Sequence, residues 1–177
     1  MKHYRSHRPA PGVLLLAAAL LFLPGSLGAQ STRIGIEVGA TPEGPSLERL
    51  DGPGGVVDLS SSIGERPILL EFWATWCENC EALHPQMLEA YDKFGAEVEF
   101  YAVAVGVNQS PRRIRRHLEK MPLPFPVLWD EKGAGVRAFQ APNTSYIVVL
   151  DSAGRVTYTG TGADQDIQAA IRTALRS

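Results

Sequence analysis

Residues 68–74 (ILLEFWA) form an almost unbroken apolar run of strand length, interrupted only by Glu71. A run without alternation is the pattern of a central strand covered on both faces. After Cys77 the period changes. Leu83, Met87, Leu88, Tyr91 and Phe94 recur at helical spacing as far as Gly95, which predicts a long amphipathic helix. Residues 98–105 (VEFYAVAV) read as the next strand. Ser110 can cap and Pro111 can start a helix through Met121, and residues 125–129 resume extended structure. Residues 146–150 (YIVVL) and 156–158 flank Asp151-Ser152-Ala153-Gly154, a turn suited to an antiparallel hairpin, and Asp164 leads into a final helix through Leu175. Upstream, residues 30–64 are rich in Gly, Pro, Ser and Thr, with apolar positions at Leu47, Leu50, Val56, Val57 and Leu59. They predict an edge hairpin.

The resulting order is βαβα followed by ββα. Alternating units require a parallel pairing with a crossover, and the terminal hairpin adds antiparallel strands. The expected fold is therefore α/β, a mixed sheet flanked by helices. No internal repeat is visible. Residues 1–29 differ from the rest: Lys2, Arg5 and Arg8 without an acid, an apolar run over 13–23, then Pro24, Gly25 and small residues to Ala29. This is the pattern of a cleaved signal peptide, and the run falls short of the ~20 residues that suit a spanning helix, so a retained membrane anchor is the lesser expectation. No cysteine follows the run to accept a lipid. The expected mature part, residues 30–177, forms one domain with an ordered core over about 36–176.

The chain of 177 residues is 45% hydrophobic and 20% charged, enough for one domain with a real core. Without the three basic residues of the leader, 14 Lys and Arg face 19 Asp and Glu, a formal charge of −5 that argues against a nucleic-acid partner. Both cysteines, Cys77 and Cys80, lie in the mature part, and export would place them where disulfides persist.

The pair sits where the apolar strand hands over to the helix. Three residues of helical spacing bring side chains to roughly 5–6 Å at Cβ, so a disulfide can close there. A thiol at a helix N-terminus meets unpaired N–H groups and the positive end of the dipole, both of which favour the attacking thiolate. Cys77 is the expected nucleophile, and Cys80, one turn in and more shielded, the resolving thiol. An inert staple is the alternative, yet so short a loop removes little unfolded-chain entropy. Zinc would want four ligands, and the mature part adds only His84 and His117 to the two cysteines, so neither a metal nor any other cofactor is expected.

The stretch Glu71-Phe72-Trp73-Ala74-Thr75-Trp76-Cys77-Glu78-Asn79-Cys80 resembles the active-site segment of thioredoxins, with Pro85 at the position of the proline that kinks their first long helix. The leader, the upstream hairpin and the segment 108–138 make the exported TlpA/ResA-like branch the nearest resemblance, covering about Ile36 to the C-terminus. It implies a thioredoxin-like fold with an N-terminal β-hairpin and a βα insertion. It also implies a monomeric reductant of protein disulfides outside the cytoplasm, fed by an upstream membrane thiol donor and often serving cytochrome c maturation. Glu71, six residues before Cys77, matches the family's buried acid, which accepts a proton as the resolving thiol ionises. Desolvation in an apolar strand would raise its pKa toward neutrality. A Glu facing solvent at a strand edge is the alternative.

Two departures stand out. Glu78-Asn79 replaces the Gly-Pro or Pro-containing pairs common in the family, and the Glu78 carboxylate opposes the Cys77 thiolate, favouring a reductant over an oxidase. In the loop where the family places a cis-proline facing the active site, the spacing reaches Ser145, nine residues before Gly154, while Pro142 lies three residues earlier. Either Pro142 or Ser145 fills that substrate-contacting position, joined by Trp76, Glu78 and Asn79. Arg112, Arg113, Arg115 and Arg116 read as a solvated helix face rather than a docking patch. A peroxiredoxin-like peroxidase would place threonine and proline at positions held here by Ala74 and Leu70. A copper-delivery protein would need a histidine beyond His117, and none occurs. A non-catalytic module with a structural disulfide would not exchange with dithiothreitol.

Overall fold

The computed structural model describes Met1, His3 and residues 35–177. The expected signal peptide lies outside the described residues, apart from those two. The elements are β1 (Ser46–Arg49), β2 (Val56–Asp58), α1 (Leu59–Ser62), β3 (Ile68–Trp73), α2 (Glu78–Phe94), β4 (Glu99–Val105), α3 (Pro111–Leu118), β5 (Val127–Asp130), α4 (Ala134–Ala138), β6 (Tyr146–Leu150), β7 (Val156–Gly160) and α5 (Ile167–Ala174). The strands form one mixed sheet in the order β2-β1-β5-β4-β3-β6-β7. β3 pairs in parallel with β4, and β4 with β5. All other neighbours are antiparallel. This is the expected α/β architecture, with the hairpin β1–β2 at one edge.

Every residue of β3 is buried, which explains why its sequence is apolar on both faces. Leu69 and Trp73 pack with Leu83 and Met87 of α2, Ala102 of β4 and Ile147 of β6. Ile68, Leu70 and Phe72 point to the opposite core, with Leu59, Val103, Phe139, Tyr146 and Val148. Each of these large side chains contributes about 1.5–3 kcal/mol by leaving water. The period of two then sets Glu71 on the same face as Leu69 and Trp73, beneath α2.

Helix boundaries differ from the periodicity where local chemistry intervenes. α3 stops at Leu118, short of Met121: Met121 N still donates to His117 O at 3.0 Å, but Pro122 has no N–H to carry the ladder on to Leu118. α5 begins only at Ile167: Asp166, not Asp164, is its cap, accepting from Ala169 N at 2.8 Å. α2 continues through Pro85. Two short helices give no periodic signal. α1 is capped by Asp58, which accepts from Ser60 N at 3.1 Å. α4 follows Gly133 at φ +70° and is held by the buried Asp130 carboxylate, which accepts from Val136 N at 2.8 Å. The hairpin turn matches expectation: Asp151 accepts from Ala153 N and Arg155 N at 2.9 Å, and Gly154 takes the left-handed conformation at φ +76°.

Phe72 is fully buried, with the rings of Phe139 and Tyr146 at 5.8 and 5.9 Å. Phe72→Ala leaves a cavity between β3, β6 and α4 and is expected to cost about 3–5 kcal/mol, read from urea unfolding.

Candidate active site

β3 and β4 run parallel, and their carboxyl ends open at the same edge of the sheet, the usual place for a site in such folds. β3 ends at Trp73. The chain turns through Ala74, Thr75 and Trp76, with Cys77 N donating to Ala74 O at 3.1 Å, and enters α2. Cys77 is the N-cap, in extended conformation at φ −91° and ψ 104°. Its Sγ accepts from Cys80 N at 3.1 Å, the bond a serine or aspartate oxygen makes at an ordinary cap. Cys77 and Cys80 are joined in a disulfide with Cα atoms 5.3 Å apart. Cys77 is half-buried, and Cys80 is only 7% exposed. One sulfur therefore faces the surface at the positive end of a helix of 17 residues, and the other lies beneath it.

The turn is fastened to the loop after β4. Thr75 N donates to Gln109 Oε1 at 3.0 Å, Gln109 Nε2 donates to Val105 O at 2.6 Å, and Trp76 Nε1 donates to Val107 O at 2.9 Å. Gly106 is needed in that loop, since a Cβ there would stand 2.8 Å from Glu131 C. Trp76 and Val107, 42% and 55% exposed, make an apolar lip beside Cys77. Gln109 carried no signal in the sequence: a lone glutamine in a polar loop has no period or motif to mark it.

A cleft of about 130 Å³ opens under the disulfide. Its lining includes Glu71, Trp73, Cys77, Cys80, His84 and His117. Glu71 is buried at 4% exposure, not at a solvent-facing edge, and desolvation raises its pKa to about 8. At neutral pH it holds a proton, in the cleft that both sulfurs line. His84 of α2 and His117 of α3 are both pushed below the usual histidine value, chiefly by burial. For His84 the charge of His117 adds to that effect, and for His117 Glu81 works against it while Lys120 and Arg113 reinforce it. The His117 ring lies 5.5 Å from the Trp73 ring. That pairing of α3 with β3 joins residues 44 positions apart in sequence, beyond the reach of any local pattern.

Trp76 and Glu78 also line the cleft, whereas Asn79, Pro142 and Ser145 do not. Glu78 and Asn79 are exposed in the first turn of α2. Pro142 is exposed in the loop before β6, and Ser145, 2% exposed, immediately precedes the strand. The β3–β6 register pairs Phe72 with Tyr146, so one further step sets Ser145 level with Trp73. Ser145 has φ +57°, and no peptide bond among the described residues is cis. Its Oγ accepts from Gly162 N at 3.0 Å and donates to Thr144 O at 2.6 Å, while its carbonyl accepts from Gln165 Nε2 at 3.0 Å.

The Redoxin family model matches residues 37–175. The thiol-disulfide oxidoreductase ResA of Geobacillus kaustophilus is 28% identical over 167 residues, covering 88% of this chain and 92% of the relative. The thiol:disulfide interchange protein DsbE of Vibrio cholerae is 31% identical over 163 residues, 87% of this chain and 83% of the relative. A crystal structure described as a thiol:disulfide interchange protein DsbE of Chlorobium tepidum superposes with a TM-score of 0.67 at 25% identity, covering 80% of this chain and 96% of that one. With a disulfide at the strand-to-helix junction and a buried acid behind it, the chain belongs to the Redoxin family and is a thioredoxin-like thiol-disulfide oxidoreductase.

Proposed function

We propose that the protein is exported and reduces disulfides of other exported proteins, with Cys77 attacking, Cys80 resolving and Glu71 exchanging the proton. The observation that carries this reading is the placement of the two sulfurs: one at the helix cap by the surface, the other buried, both lining a cleft that the protonatable carboxyl of Glu71 also lines. The basic start and apolar run of residues 1–29 support export with removal of a leader, leaving 30–177 as the working domain. No helix among the described residues is long and apolar enough to cross a membrane. The likeness to the TlpA/ResA-like branch extends the substrates to cysteine pairs of apocytochromes c, with a membrane thiol protein as donor.

In the reduced protein the Cys77 thiolate attacks one sulfur of the substrate disulfide. A bond forms between Cys77 Sγ and that sulfur, and the other substrate sulfur leaves as a thiolate and takes a proton. Cys80 then loses its proton to Glu71, through the minor fraction of that carboxyl that is ionised at neutral pH, and attacks Cys77 Sγ. The Cys77–Cys80 bond forms, the mixed disulfide breaks and the second substrate thiol departs. Two electrons have passed to the substrate, and a donor dithiol returns them. A carboxyl with a pKa of about 8 suits this exchange, being close to the ordinary thiol value. Glu78 next to Cys77 opposes a deeply stabilised thiolate, so the reduced form is not held back from giving up its electrons. Trp76 and Val107 offer the apolar contact for a substrate segment beside its cystine.

With a cystine-containing protein as substrate, Cys80→Ser is expected to accumulate a stable mixed disulfide and Cys77→Ser none, read by non-reducing electrophoresis and mass spectrometry. Glu71→Gln slows the resolving step about 100-fold while the mixed disulfide builds up. A redox titration against glutathione and dithiothreitol is expected to give a potential nearer about −270 mV than the about −120 mV of a strong oxidant. The latter value would overturn the direction of electron flow.

Glu71 also fixes a dependence of stability on pH. Its folded pKa is raised, so between the ordinary carboxylate range and about 8 the folded protein holds a proton that the unfolded chain has released. Its contribution to stability therefore declines as pH rises through that window and levels off above it. Glu71→Gln removes the decline. Relative to wild type, the variant gains on the order of 3 kcal/mol between pH 4 and pH 7, measured by urea unfolding at each pH. Parallel curves for the two proteins would show that the carboxyl is not buried neutral.

A further inference from the structure

Charge is strongly segregated on this domain. Of the 13 Lys and Arg in residues 35–177, five fall within the nine residues 112–120, namely Arg112, Arg113, Arg115, Arg116 and Lys120, against Glu119 alone. The rest of that span carries eight cations and 18 acids. A merely solvated helix face normally mixes signs and pairs them at helical spacing. Here, among the described residues, none of the five cations lies within ion-pair distance of a carboxylate, and the side-chain bonds they make run to the backbone oxygens of Asn108 and Leu50.

The placement of this cluster matters more than its size. Ile114 buries the inner face of α3, and His117 and Leu118 reach the cleft under the disulfide. Helical stepping then sets Arg113, Arg116 and Lys120 along one stripe, exposed and bordering His117. Across the cleft the first turn of α2 presents exposed Glu78 and Glu81. The two helices that line the cleft thus carry opposite charge on their exposed faces, acidic at the first turn of α2 and basic along α3 and the turn after it.

We propose that the stripe Arg113, Arg116 and Lys120 is the docking surface for an acidic segment flanking the target cystine, so that the oppositely charged helices orient the partner as its disulfide meets Cys77. The inference rests on the oxidoreductase reading and deepens it by naming the partner's chemistry. A partner with basic residues on that side is repelled by α3, and one with acidic residues against α2 is repelled by Glu78 and Glu81. Such complementarity acts mainly on the rate of encounter and is screened by salt.

The test uses the reduced full chain and three cystine-linked peptides of equal length with Glu, Gln or Lys flanks, followed by tryptophan fluorescence as the disulfide forms. Hydroxyethyl disulfide serves as an uncharged reference. At about 20 mM ionic strength the Glu-flanked peptide is expected to react about tenfold faster than the Gln-flanked one and faster still than the Lys-flanked one, the difference collapsing to about twofold at 0.5 M salt. The triple variant R113E/R116E/K120E reverses the order of the Glu and Lys peptides, and Arg176→Glu, at the far end of the chain, leaves the order as it was. The salt series on the unaltered protein decides the matter even should the triple variant fail to fold. Equal rates for all three peptides at low salt, with hydroxyethyl disulfide still reduced, overturn the docking surface alone. Failure to reduce any of the four disulfides overturns the oxidoreductase reading beneath it.

Discussion

One hydrogen bond sets the character of the site: Cys80 N donates to the sulfur of Cys77 at the first turn of α2. A helix leaves its first N–H groups without internal partners, and most chains supply an oxygen there. Here the cap is one sulfur of the disulfide, so in the proposed reaction helix formation and thiol reactivity draw on the same groups. The arrangement works because β3 is buried on both faces and cannot shift. Its last residue delivers the turn to one place, and Gln109 and the Trp76 indole fasten that turn to the next loop.

Glu71 is the exception within the same strand. Burying a carboxyl works against folding at neutral pH, and a leucine there would serve the core better. The cost is limited because the group keeps its proton, and that proton lies along a cleft shared with both sulfurs. The local conflict between an apolar strand and an acid is what would be expected where chemistry, not packing, selects the residue. His84 and His117 at the same cleft are held toward their neutral forms, so the wall near the sulfurs gains little positive charge from them.

Much of this could be read along the chain. The unbroken run of β3 and the 3.6-residue period of α2 mark their elements because burial acts directly on sequence there, and Glu71 stands out against its neighbours for the same reason. α1 and α4 escaped because four or five residues cannot display a helical period. The ends of α3 and α5 were set by Pro122 and Asp166, local effects that outweigh periodicity. Gln109 and His117 belong to the site through contacts across 34 and 44 residues, which only the folded chain brings together. Likewise the arginines of α3 look like an ordinary solvated face until the helix is seen bordering the cleft.

Ser145 carries a consequence for the loop that leads into β6. A pyrrolidine ring locks φ near −65°, whereas this backbone sits at +57° and is pinned by Gly162 and Gln165. Proline is therefore barred from this exact seat unless the whole bend is rebuilt, and glycine or asparagine would be its natural substitutes. Exchange of this serine for proline would require a change in the bend itself together with its two anchors.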